Sequence, residues 1–114
     1  MKLQIEGQHL RVRIDEDELA RLLAGESIYA HTRFAEAFAM GFELQLVDAE
    51  AAKLTGQAEA WNIALPEAAV REHASRLPTR DGLRFLLPGH STEDAITLLF
   101  DVDVRDSVRR RRSA

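Results

Sequence analysis

The chain has 114 residues, 46% apolar and 30% charged, with no cysteine and a net charge of −4. That length supports one hydrophobic core, the composition is that of a folded domain, and disulfides and thiolate metal sites are excluded. No apolar run is long enough to cross a bilayer, and five Arg and one Asp in residues 105–114 leave −8 on the first 104, a poor surface for nucleic acid.

The opening residues predict a hairpin. Leu3 and Ile5 alternate with Lys2, Gln4 and Glu6; Gly7-Gln8 turns the chain; Leu10, Val12 and Ile14 then alternate with His9, Arg11 and Arg13. Period two sends the apolar set to one face and the charges to the other. Asp15 with Glu18 three residues on is a capping box, and Leu19, Leu22 and Leu23 stripe one side of a helix that Gly25 ends. Residues 27–34 and 37–47 read as two strands. In the second, Phe38, Met40, Phe42, Leu44 and Leu46 share one face, with Glu43 and Gln45 opposite. An acidic, alanine-rich connector follows from Asp48 to Ala52.

The order then restarts. A shift of 51 residues lays Lys2-Leu3 on Lys53-Leu54, Leu10, Val12 and Ile14 on Trp61, Ile63 and Leu65, and Asp15 on Pro66, one helix-start residue for another. A second helix is expected from about Pro66 to Arg76, then strands at 82–87 and 95–104. The pseudo-repeats cover about 1–47 and 52–104. Each half has a one-sided sheet and one short amphipathic helix, so neither shelters its apolar surface alone. The expected class is α+β: mainly antiparallel sheets, or a curved barrel, of about eight strands with two short helices, from a duplicated ββαββ unit. Residues 1–104 are expected to form one domain and 105–114 a flexible basic tail.

For chemistry, the six glycines are scattered, no Gly-x-Ser-x-Gly elbow exists, and no His-x-x-x-His pair occurs. No catalytic motif is complete, and no metal or cofactor is implied. His73 falls where the first half has Leu22, which predicts a histidine at the margin of the core. The connection Pro88-Gly89-His90-Ser91-Thr92-Glu93-Asp94 is longer than its counterpart near Ala35-Glu36, making His90, Ser91, Glu93 and Asp94 a candidate functional loop. Arg11, Arg13, Arg33, Glu43 and Arg84 are the candidate binding face, on polar strand positions. Turned inward in a closed barrel, that face makes a charged tunnel for an anion; turned outward, it is a solvated surface.

The repeated element order resembles the triphosphate-tunnel phosphohydrolases, which implies an anion site of that kind. Those enzymes open on Glu-x-Glu-x-Lys, whereas this strand reads Gln4-Ile5-Glu6-Gly7-Gln8, and no catalytic residue carries over. Met1-Lys2-Leu3-Gln4-Ile5-Glu6-Gly7 followed by Leu10-Arg11-Val12-Arg13-Ile14 resembles the opening of a family of short uncharacterised bacterial proteins with a Met-Lys-Ile-x-Ile-x-Gly strand and an Arg-x-Arg strand. That family brings no known activity. Thirteen Arg against two Lys, with abundant Ala, fits a bacterial source with GC-rich codons.

A complete set of packing signals without a complete catalytic set points to a cytoplasmic, non-enzymatic accessory domain that works through protein contacts, including self-association at sheet edges. The alternative is a small-molecule or anion binder, or a phosphohydrolase-like enzyme, using the charged strand face and the loop around His90. Nucleic-acid contact is expected only from Arg109-Arg110-Arg111-Arg112 in the tail.

Overall fold

A computed structural model describes residues 1–104. Ten elements follow in order: β1 (Lys2–Glu6), β2 (His9–Asp15), α1 (Glu16–Leu23), β3 (Ile28–Phe34), β4 (Phe38–Val47), β5 (Lys53–Gln57), β6 (Ala60–Pro66), α2 (Glu67–Ser75), β7 (Leu83–Leu87) and β8 (Ile96–Asp103). The expected hairpins and helices are all present. Asp15 accepts from the Glu18 backbone N–H at 2.7 Å, while the Glu18 carboxylate accepts from the Asp15 N–H at 3.1 Å, so the capping box closes in both directions. Gly25 ends α1 with φ +95°, a conformation that costs glycine little.

The strands form two four-stranded sheets, with orders β1-β2-β8-β7 and β3-β4-β6-β5. Both are open, so the tunnel geometry does not arise among the described residues. In each sheet the outer pairs are antiparallel and the central pair, β2–β8 or β4–β6, is parallel. The halves exchange hairpins. The first sheet joins β1–β2 of the first half to β7–β8 of the second, and the other sheet joins β5–β6 to β3–β4. Matching β1 to β5, β2 to β6, β7 to β3 and β8 to β4 turns one strand order into the other. Each helix carries the chain from one sheet to the other.

Register explains the core. Across the central pairs, Leu10 faces Leu98, Val12 faces Phe100 and Leu44 faces Ile63, so the buried side chains lie in continuous rows. Helix α1 packs against β2 and β8 of one sheet and β3 and β4 of the other, adding Leu19 and Leu22; α2 adds Val70 and His73. All of these apolar groups fall in one cluster. Phe100 is fully buried with the His73 ring edge-on, centroids 6.4 Å apart, and burying such a ring stabilises by about 2–3 kcal/mol.

The apolar stripe of β4 is buried only in part. Leu44 is fully buried, but Phe38 is 58% exposed. Strand β6 pairs β4 only from Gly41 onward, so Phe38, Ala39 and Met40 lie where β3 alone is beside them. Phe34 and Phe38 stack on each other there, with ring centroids 4.7 Å apart.

Candidate functional site

The five residues expected to share one binding face lie on two different sheets. Arg11, Arg13 and Arg84 project from the outer face of the β1-β2-β8-β7 sheet, between buried Leu10, Val12 and Ile14 on β2 and beside half-buried Leu83 and Phe85 on β7. Arg33 and Glu43 belong to the other sheet, on β3 and β4. Alternation assigns a face correctly but not a sheet, and the hairpin exchange separates the set.

On the first sheet, register sets Lys2 beside Arg13 and Arg13 beside Asp101; in the next row Gln4, Arg11, Leu99 and Arg84 follow one another across four strands. Asp101 is the centre of this face. Arg11 donates to its Oδ2 from Nε and Nη2 at 3.1 and 2.6 Å, and Arg13 donates to Oδ1 from Nε at 3.1 Å and to Oδ2 from Nη2 at 3.3 Å. The carboxylate is mostly buried under the two guanidiniums, which are themselves more than a third exposed. Ion pairs this open to water contribute about 1 kcal/mol or less each, so their larger effect is orientation. Two shallow depressions adjoin along the face. One of about 340 Å³ is lined by Lys2, Leu3, Gln4, Arg11 and Arg13. The other, about 170 Å³, shares Gln4 and Arg11 and reaches Arg84, Leu99, His9 and Glu6.

The equivalent outer face of the second sheet has different chemistry. The shift of 51 replaces Arg11 by Asn62 and Arg13 by Ala64. Gln45 donates to Asn62 Oδ1 at 3.0 Å, and Asn62 donates to Glu43 Oε1 at 2.8 Å, an amide and carboxylate ladder in place of the arginine cluster. A broad depression of about 420 Å³ lies over Gly41 and Ala60, walled by Tyr29, His31, Glu43 and Asn62. Tyr29, 72% exposed, was not singled out from the sequence; its place on an outer position between Ile28 and Ala30 was the available signal.

The loop residues His90, Ser91, Glu93 and Asp94 are all exposed. The segment folds on itself: the Asp94 N–H donates to the Ser91 carbonyl at 3.2 Å, and Gly89 lies so close to Asp94 that a Cβ would stand 2.4 Å from that side chain. It is not brought together with the arginine face or with Glu43 in any depression described above. His73 is buried at 3%, and burial first, then nearby Arg76, lowers its pKa from the usual imidazole value, against weaker opposing effects of Glu72 and Asp101. Among the described residues no group of three or more His, Asp or Glu is placed to hold a metal ion. No helix there is long and apolar enough to cross a membrane. Arg109–Arg112, the expected nucleic-acid contact, lies outside the described residues.

A model of a family described as a family of unknown function (DUF7009) matches residues 1–103. No curated protein and no solved structure matches the chain. The resemblance seen in the opening strands, to a family without known activity, agrees with that match.

Proposed function

The chain belongs to this family of unknown function, and from that premise we propose that it is a non-enzymatic, cytoplasmic protein-contact domain that assembles with a second copy of itself along β3. The supporting observation is the inequality of the four sheet edges. Edge strands β1, β5 and β7 have five residues each, β5 interrupted by Gly56 and β7 followed at once by Pro88; β3 has seven and contains neither Gly nor Pro. Short, broken edges resist pairing, whereas a long regular one invites it.

The sequence of β3 is also self-complementary. Antiparallel pairing about His31 sets Tyr29 opposite Arg33 on the outer face and Ala30 opposite Thr32 on the inner face. A guanidinium over an exposed phenol ring is worth about 0.5–1 kcal/mol, and a two-fold axis makes the contact twice. The same pairing brings Phe34 of each copy beside Ile28 of the other, which supports burial of the aromatic pair at the hairpin tip.

Sedimentation equilibrium from micromolar to near-millimolar protein tests this. A concentration-dependent dimer is expected, weakened at least about tenfold by His31→Glu, which opposes two carboxylates at the axis. His31 is exposed, so that variant keeps its fold. A monomer at every concentration, or a dimer indifferent to His31→Glu, overturns the reading.

A further inference from the structure

We infer that the outer face of the β1-β2-β8-β7 sheet is a binding site for a small organic molecule carrying two oxyanionic groups. The inference is independent of the β3 assembly, because β3 lies in the other sheet.

Charge is the first argument. Residues 1–104 carry ten Lys and Arg against eighteen Asp and Glu, yet four of those ten cations share this one face: Lys2, Arg11, Arg13 and Arg84. In the two rows that hold them Asp101 is the one carboxylate, with Glu6 and the facing Asp15 and Asp103 in the rows to either side, and neither Lys2 nor Arg84 has an ion-pair partner among the described residues. Within those two rows four cations meet one carboxylate, and that local surplus costs free energy until an anion neutralises it.

Geometry is the second. Asp101 engages Nε and Nη2 of both guanidiniums, which holds two long side chains in one arrangement before any ligand arrives and leaves the Nη1 groups of Arg11 and Arg13 as uncommitted donors. Arg84 stands two strands from Arg11, about 9–10 Å by the ordinary strand spacing, and Leu99 fills the place between them. Cations therefore sit at both ends of the paired depressions, Lys2 with Arg13 at one and Arg84 at the other, with Arg11 shared by both and Leu99 the uncharged step between Arg11 and Arg84. That spacing suits two separated anionic groups better than one compact ion. Glu6 lines the far rim of the smaller depression and disfavours a longer polyanion running past it.

The pseudo-symmetry supplies an internal control. Lys53 occupies on β5 the place of Lys2 on β1, but its neighbours across β6 and β4 are Ala64 and Gln45 instead of Arg13 and Asp101. The same fold position is thus offered twice, and one copy alone has the cationic set.

Titration calorimetry at fixed ionic strength tests the site with three probes: fructose 1,6-bisphosphate, glutarate and inorganic phosphate. The dianion pairs are expected to bind at least about tenfold more tightly than phosphate, because the second contact becomes intramolecular. The tighter of the first two probes identifies the oxyanion as phosphate or carboxylate. The double variant Lys2→Gln, Arg84→Gln leaves the Asp101 cluster intact and is expected to weaken binding at least about tenfold, while Lys53→Gln leaves it unchanged. Absence of binding to both bis-anions at millimolar concentration overturns the inference. So does an equal loss in the Lys53→Gln variant, which would mark diffuse attraction instead of a site.

Discussion

His73 occupies the core position that Leu22 takes in the first half, and the difference has a pH signature. Burial, aided by Arg76 and opposed by Glu72 and Asp101, lowers its pKa in the folded chain, whereas the unfolded chain protonates near the usual value of about 6.5. Above that value both states hold the neutral ring and nothing is lost. As pH falls below it, the unfolded state takes up the proton first, and stability declines until the lower folded-state pKa is reached. His73→Leu copies the residue of the other half. Urea unfolding of this variant is expected to match the parent near neutral pH and to lose less stability than the parent by about pH 5. At this scale the sequence was informative: the 51-residue shift placed His73 in the apolar stripe. Alternation also sends Arg11, Arg13 and Asp101 outward, but it does not show that residues some ninety positions apart lie on adjacent strands.

Single elements could be read closely, since their signals are local. The Asp15–Glu18 capping box, the alternation of β2 and β8 and the Pro66 entry to α2 each depend on a few consecutive residues. Alternation puts the apolar stripe of β4 on one face, yet its first turnward residues are left open by the shorter reach of β6; the length of a neighbour is not written in a strand's own sequence. Gly56 in β5 has φ +100°, and a Cβ there would stand 2.2 Å from the Ala60 carbonyl oxygen. Gly56→Ala is therefore expected to destabilise by about 1–3 kcal/mol, read as a lower urea midpoint with an unchanged slope. A similar change at Gly7, where φ is +56° but the surrounding space is open, is expected to cost less.

For the molecule as a whole, the repeated ββαββ order is legible in the sequence but the exchange of hairpins is not. Pairing β2 with β8 and β4 with β6 depends on contacts between halves, and a one-sided strand pattern names no partner. The exchange makes each half's sheets depend on the other. Residues 1–50 and 51–104 are each expected to be unfolded alone by circular dichroism and to fold cooperatively when mixed; independent folding of either piece would contradict one shared core. The order in which the strands are made adds a further consequence. Strands β3 to β6 are consecutive, so that sheet can close once Pro66 has left the ribosome, whereas β2 must wait for β8, the last of the described strands. The nascent chain thus passes through a stage with one finished sheet and a bare, parallel-seeking hairpin at its leading end. That is the interval in which a chaperone or a neighbouring chain on the same message would find an unclaimed edge.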